Sequence, residues 1–333
     1  MVRILLFSMM MLLASCGGSG KPDVSKIKVD LQLQRFEQDL FRLDTNHIGE
    51  GLAHLRNAYP DFYPTYFQQI LQVNPADPAS EPIIRSILSG YRPVNDTLQQ
   101  KYRDLDWLKK DLADGFRYVK YYYPDYFVPR VVTFVATFDV PGAILTPQYL
   151  GIGLQQFAGK HFSAYQLDEI AQMYPAYISR RFDKEYITAN AMKAVADDIY
   201  PDQSVGRPLI EQIVEKGKQW WLLDHFLPDA PDSVKTGFSG NQLRWATENE
   251  GNIWGYLLKN ENLYSIEPAT IQTYLGEAPF TQGFPESSPG NIGQWIGWRM
   301  VQKYAAANPK LTVQQVLATP AKTVFEGSRY KPK

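Results

Sequence analysis

Tyr-Pro pairs punctuate this chain at Tyr59-Pro60, Tyr123-Pro124, Tyr174-Pro175 and Tyr200-Pro201, and three of these continue with Asp. A proline ring crowds the residue before it out of helical geometry, while proline itself suits the first turn of a helix. Each pair therefore predicts the end of one helix, the start of the next and a buried tyrosine ring at the junction. The separations, 64, 51 and 26 residues, are unequal, which excludes a solenoid of fixed period.

Between these marks the apolar spacing is mostly helical from Gly49 to Tyr123, as in Leu105, Leu108, Leu112, Phe116 and Val119. Ahead of that lobe, Ile27, Val29, Leu31 and Leu33 alternate with polar residues as a short strand, and Arg35 to Arg42 starts a helix. Arg130 to Phe138 is β-branched and aromatic. The turn Asp139-Val140-Pro141-Gly142 follows, then strands at Ala143–Leu145 and Tyr149–Phe157, giving a small antiparallel sheet. Ser163 is placed to cap a helix with Tyr165, Leu167, Ile170 and Met173 on its apolar face. Further helices are expected at 175–199, 208–226, 242–258, 268–275 and 292–306. The fold class is α+β, mainly α, as one domain over 27–333.

The first sixteen residues are of a different kind. Arg3, an apolar run from Ile4 to Leu13, and Leu13-Ala14-Ser15-Cys16 make a bacterial lipoprotein signal. The run is too short to span a bilayer, which takes about 20 residues as a helix. Residues 1–15 are read as a cleaved signal, and Cys16 as the lipidated N-terminus that holds the protein on a membrane. The competing reading is an ordinary secretory signal in which Cys16 is incidental. Residues 16–26 form a Gly- and Ser-rich tether in which Gly17 to Ser25 reaches about 30 Å when extended.

Cleavage leaves 318 of the 333 residues, a formal charge of −2 and, since Cys16 is the sole cysteine, no thiol for a disulfide, a metal or nucleophilic catalysis. Near-neutral charge gives no reason to expect nucleic acid. Packing must supply the stability, and 21 Tyr and 7 Trp suit a core whose polar ring tips need partners.

Catalytic signatures are missing. A zinc peptidase needs two imidazoles on one helical turn, but His47, His54, His161 and His225 are never three or four apart. No cofactor or metal ligand set is therefore assigned. Gly-x-Ser-x-Gly is absent, and Ser239 and the Ser287-Ser288 pair read as helix starts. Paired carboxylates remain: Glu248 with Glu250, and Glu185 beside Arg181. Arg244 with Glu248 and Arg181 with Glu185 also stand at the spacing of routine helix ion pairs, and that structural reading is the favoured one. Arg299 follows Trp295, Ile296 and Trp298, and a guanidinium in such surroundings needs a carboxylate or carbonyls, with Glu248 or Glu250 as first choice. The six residues Arg181, Glu185, Arg244, Glu248, Glu250 and Arg299 form the candidate cleft or polar network.

Several stretches together resemble the gliding-motility lipoprotein GldB family of the Bacteroidetes. They are Ile27-Lys28-Val29-Asp30 with Arg35-Phe36 and Asp39-Leu40-Phe41, Tyr59-Pro60-Asp61-Phe62, Tyr122-Tyr123-Pro124, Ile152-Gly153-Leu154, Glu248-Asn249-Glu250 to Trp254, the run from Ser288 to Trp298, and Ser328-Arg329-Tyr330-Lys331-Pro332. The resemblance implies an envelope lipoprotein needed for surface motility and associated with its secretion machinery. It also implies kinship in pattern with zinc peptidases that carry His-Glu-x-x-His on a central helix. Here the matching helix, 186–199, offers Asn190-Ala191-Met192-Lys193-Ala194, a degenerate zincin-like frame without its metal. The expectation is a lipid-anchored, periplasm-facing, noncatalytic component of the motility and secretion apparatus, on the inner or outer membrane, with other envelope proteins as partners. Two other readings stay open: an envelope hydrolase using Glu248 and Glu250, and a peptide or glycan binder with Trp254, Trp295 and Trp298 around Arg299.

Overall fold

The computed structural model describes residues 21–333, so the lipid attachment expected at Cys16 lies outside the described residues. Ile27 to Leu33 alternates in burial as its sequence predicts, but ladder pairing is confined to β1 (Leu33–Arg35). Next come α1 (Phe36–Phe41), α2 (Ile48–Ala58), the single turn α3 (Phe62–Pro64), which runs on as π-helix over Thr65–Ile70, and then α4 (Glu81–Lys101) and α5 (Asp106–Tyr122). Strands β2 (Arg130–Phe134), β3 (Ala143–Leu145) and β4 (Tyr149–Gly153) complete one four-stranded sheet, in the order β1-β2-β4-β3.

That sheet is mixed rather than wholly antiparallel. β1 pairs parallel with β2, β2 pairs parallel with β4, and only β3 runs antiparallel, against β4. Burial explains the arrangement. All five residues of β4 and four of five in β2 are buried, the mark of strands covered on both faces, whereas β3 is half-exposed throughout and takes the edge. The chain therefore carries β3 past β2, and the Thr146 turn returns it as β4 to the centre.

The second half is helical: α6 (Asp168–Met173), α7 (Ala176–Ser179), α8 (Ile187–Ile199), α9 (Leu209–Phe226), α10 (Asp232–Thr236), α11 (Gly240–Glu248), α12 (Glu250–Asn260), α13 (Pro268–Leu275), α14 (Ile292–Ala307), α15 (Val313–Ala318) and α16 (Ala321–Ser328). Two expected long helices are broken. The 175–199 stretch divides around Asp183, whose carboxylate accepts from the Lys184 N–H, and the 242–258 stretch divides at Asn249. Ser163 opens a 3-10 turn rather than capping, and Leu167 and Met173 face outward.

All four tyrosines of the sequence argument end a helix. Tyr59, Tyr123, Tyr174 and Tyr200 share φ between −135° and −128°, and each donates its N–H to the carbonyl four residues back. Only the Tyr59 ring is buried and the other three are half-buried, because a hydroxyl tip that needs polar partners keeps a ring near the surface. Tyr59 donates to Asp39, Tyr174 accepts from Gln156, and Tyr123 packs edge-on to Phe226. A fifth pair, Tyr63-Pro64, falls inside the first turn of a helix, where the missing N–H has no intrahelical partner to lose.

The main apolar core runs from Leu31 to Tyr330 with its spine in α9 against α14, and a smaller cluster gathers Phe138, Tyr165 and Phe182. A Cβ on Gly217 would stand 2.1 Å from the carbonyl carbon of Gly297, and one on Gly297 only 1.8 Å from the Ile213 oxygen. Gly293 lies one turn earlier on the same side of α14 and is also close against Ile213. The glycines of the 288–298 run thus let two helix backbones touch. Buried ions brace the spine. The Lys218 ammonium, almost wholly enclosed, donates to Glu215, Tyr200 and the carbonyls of Leu317 and Thr319, tying α9 to the loop between α15 and α16. Near the sheet, buried Glu37 receives Arg35 and Thr133 at 2.7 Å each.

Candidate functional site

The best-built polar site lies where α11 and α12 meet α14 and the C-terminal segment. Ser239 starts α11 with a capping box, accepting from the Gln242 N–H while its own N–H donates to the Gln242 side chain. Asn249 closes α11 and opens α12, which places Glu250 in the first turn of α12, where a negative charge suits the helix dipole. Glu250 Oε1 accepts from the Tyr330 hydroxyl at 2.6 Å and from Arg299 Nε at 3.3 Å. Burial and then the hydrogen bond to Glu250 push the Tyr330 hydroxyl far above its ordinary range, so it acts as a donor.

Arg299 reaches onward. Its Nη1 donates to Gln302 Oε1 at 2.8 Å, Gln302 Nε2 donates to Asp224 Oδ2 at 3.3 Å, and Trp298 Nε1 donates to the same oxygen at 2.6 Å. Asp224 Oδ1 accepts from Lys235 at 2.5 Å, and Lys235 also meets Asp232. Burial by itself would pull Lys235 down, but the two carboxylates outweigh it and its pKa stands above the ordinary value. The result is one continuous chain of donors and acceptors, Tyr330–Glu250–Arg299–Gln302–Asp224–Lys235. It binds the C-terminal segment to α12, α14, α9 and α10.

Two clefts flank Arg299. One, of about 440 Å³, lies toward Glu250, Lys303 and Tyr330; the other, of about 340 Å³, lies toward Arg244, Glu248 and Trp298. Four of the six expected residues, Arg244, Glu248, Glu250 and Arg299, therefore surround one junction, and of the two expected partners of Arg299 it is Glu250 that pairs with it.

The other two lie elsewhere. Arg181 pairs with Glu277 at 3.0 Å in a separate cleft of about 200 Å³ that also holds Lys193, and Glu185 lines a fourth cavity. Neither expected helix ion pair forms among the described residues: Arg181 prefers Glu277, and Arg244 turns to Asn241. Ser288 is no helix cap. It is fully buried, its hydroxyl accepts from the Thr281 N–H, and α14 instead begins at Asn291 in a left-handed conformation. Trp254, Trp295 and Trp298 form no exposed groove around Arg299, each being at most 6% exposed, which removes the peptide or glycan binder built on them.

Sequence reasoning passed over Asp224, Lys235 and Gln302. The available signal was Asp224 itself, an acid directly after Trp220-Trp221-Leu222-Leu223. On the helix compared with zinc peptidases, Ala191 is buried and the Asn190 amide donates back to the Tyr186 carbonyl. Among the described residues, no three His, Cys, Asp or Glu side chains gather as a metal site requires. Chemically the junction is a clamp, for Glu250 Oε1 and Asp224 both accept from several protein donors.

Fold and junction define a mainly helical α+β protein whose best polar site locks its own C-terminal segment in place. The family model described as gliding motility protein GldB matches residues 18–332, nearly the whole chain, and the chain belongs to that family. Membership makes it a protein of the cell envelope related to gliding motility. No curated protein and no solved structure matches it. Among the described residues, no helix is long and apolar enough to cross a membrane.

Proposed function

We propose that this protein is a lipid-anchored, noncatalytic component of the gliding-motility apparatus and its associated secretion system. Residues 1–15 are removed, Cys16 carries the lipid, 16–26 serve as tether, and 27–333 act as one domain on the periplasmic side. Family membership supports the motility role. The observation that carries the noncatalytic part is the state of Glu250, the best candidate acid or base, which holds both Tyr330 and Arg299. A group engaged in fixing the fold is poorly placed to exchange protons with a substrate.

The test is deletion of the gene, scored by colony spreading and protein secretion, with complementation by wild-type and Cys16→Ala copies. Loss of spreading, restored by the wild type and not by Cys16→Ala, is expected. Normal spreading after deletion would sink the motility reading, and full rescue by Cys16→Ala would sink the anchor. Elemental analysis that finds stoichiometric zinc in the purified protein would overturn the noncatalytic reading.

A further inference from the structure

A cavity of about 640 Å³ lies away from the junction described above. One wall is a single stripe of α5, Trp107, Asp111, Asp114 and Tyr118, at the spacing of one helical face. The opposite wall is the loop after α9, from Phe226 to Pro231, and the start of α8 forms the floor. The stripe is about 17 Å long at 1.5 Å per residue. About five residues of extended chain cover that length.

Apolar and aromatic groups line the interior, and five carboxylates ring it, Asp111, Asp114, Asp183, Glu185 and Asp229, beside one cation, Lys184, which lies over the Trp107 ring. Lys101 meets Asp183, and Arg117 meets Asp114. Asp111 and Glu185 have no basic partner within 4 Å among the described residues. Partial burial pushes the Asp111 carboxyl above its ordinary value and Asp114 adds to the effect, against an opposing pull from Lys110 and Lys184.

A second observation shows what such a rim attracts. Lys21, remote in sequence, sets its ammonium on Asp229 and donates to both carboxylate oxygens, at 2.6 and 2.7 Å. Asp229 raises the lysine's pKa, and Tyr118 on the facing wall adds to the effect. One lysine of the chain thus already sits at one end of the groove.

We propose that this groove binds an extended, basic segment of a partner protein, with lysine or arginine side chains on the rim carboxylates and apolar side chains between Tyr118 and Phe226. The cavity falls within the usual range of about 300–1,000 Å³ for binding sites. Complementary charge at the rim fixes register and speeds encounter, while the apolar interior supplies the burial that holds the complex. The proposal rests on the reading of the protein as a noncatalytic component that works through partners.

The test uses the full chain bearing Cys16→Ala and two fluorescein-labelled hexapeptides, Lys-Leu-Lys-Val-Lys-Leu and its counterpart with Glu for Lys, followed by fluorescence anisotropy. The basic peptide should bind and weaken with added salt, and the acidic one should not bind. Asp111→Asn and Asp229→Asn, both at exposed positions, should each weaken binding about threefold to tenfold without changing the melting temperature. Lys21→Gln should tighten it about twofold to fivefold, because the occupied carboxylate is freed. Equal binding of both peptides, or indifference to Asp111→Asn and Asp229→Asn, overturns the proposal. Self-association abolished by those same substitutions overturns it too, since the occupant would then be a second copy of this chain. The assay is independent of colony spreading, so absent binding removes the groove and leaves the motility role standing, and a deletion without phenotype does the reverse.

Discussion

Gly217 of α9 and Gly297 of α14 meet backbone to backbone, with no room between them for a single methyl group. Helix α14 also passes over Ile213, so the contact fixes the axis distance of the two helices that carry Asp224, Trp298 and Arg299.

Gly297→Ala should therefore be severely destabilising, by about 3 kcal/mol or more, because relief requires the two helices to separate along a packed core. Gly255→Ala is the control. That glycine is helical and exposed, with open space around its Cα, so alanine should stabilise by about 0.5–1 kcal/mol. Urea denaturation followed by circular dichroism checks both signs, and a neutral Gly297→Ala would contradict the packing argument.

Lys218 is enclosed beside Glu215, with Tyr200 and two carbonyls completing its shell. Lys218→Met leaves a buried carboxylate without its cation and should cost about 3–5 kcal/mol. Lys218→Met with Glu215→Gln should recover at least half of that loss, since no buried charge is then left unpaired. The comparison of single and double variants by urea denaturation measures the coupling. Equal stability of the two would show that the pair contributes nothing specific.

His225 gives the stability a pH dependence of known sign. Burial between Trp221 and Tyr122 pulls its pKa below the ordinary value near 6.5, against a weaker opposing pull from the Trp221 carbonyl. As pH falls through about 6.5 the unfolded chain takes up the proton first, so this residue's contribution to stability is present above that pH and is lost below it. Melting temperatures between about pH 7 and 5 should fall, and His225→Gln should flatten that slope. An unchanged slope would mean that the imidazole is charged in the fold.

Much of this architecture is legible because the signals are local. Tyr59, Tyr123, Tyr174 and Tyr200 end their helices through a steric rule that acts between neighbours. Arg299 announces its need for a carboxylate by the tryptophans around it, and Glu250 answers. What the sequence hides is set by distant partners. Arg181 has Glu185 at helical spacing yet pairs with Glu277, 96 residues away, and Lys218 looks like any helix lysine until Leu317 and Thr319 are brought beside it. Strand order is hidden for the same reason: β1 meets β2 across nearly a hundred residues, and a turn after β2 does not oblige β3 to pair with it. Glycines 293 and 297 stand four apart in the run from Ser288 to Trp298, but their function as a contact surface is visible only once α9 lies against them.

The clamp on the C-terminal segment can be opened one bond at a time. Tyr330→Phe keeps the ring against Trp254, 5.5 Å away, and removes only the hydroxyl that donates to Glu250. Glu250 retains Arg299, so the cost should stay near 1–1.5 kcal/mol. Glu250→Ala removes the acceptor for both donors, and with Tyr330 buried the loss should be larger, about 2–3 kcal/mol. If the network is a clamp, both variants should expose the Arg329–Tyr330 bond to trypsin before the rest of the domain, with Glu250→Ala cut faster, and Trp254 fluorescence should shift to the red as the segment leaves. If Tyr330→Phe resists trypsin as well as the wild type does, the hydroxyl bond does not hold the segment, and apolar contact between Tyr330 and Trp254 is what keeps it down.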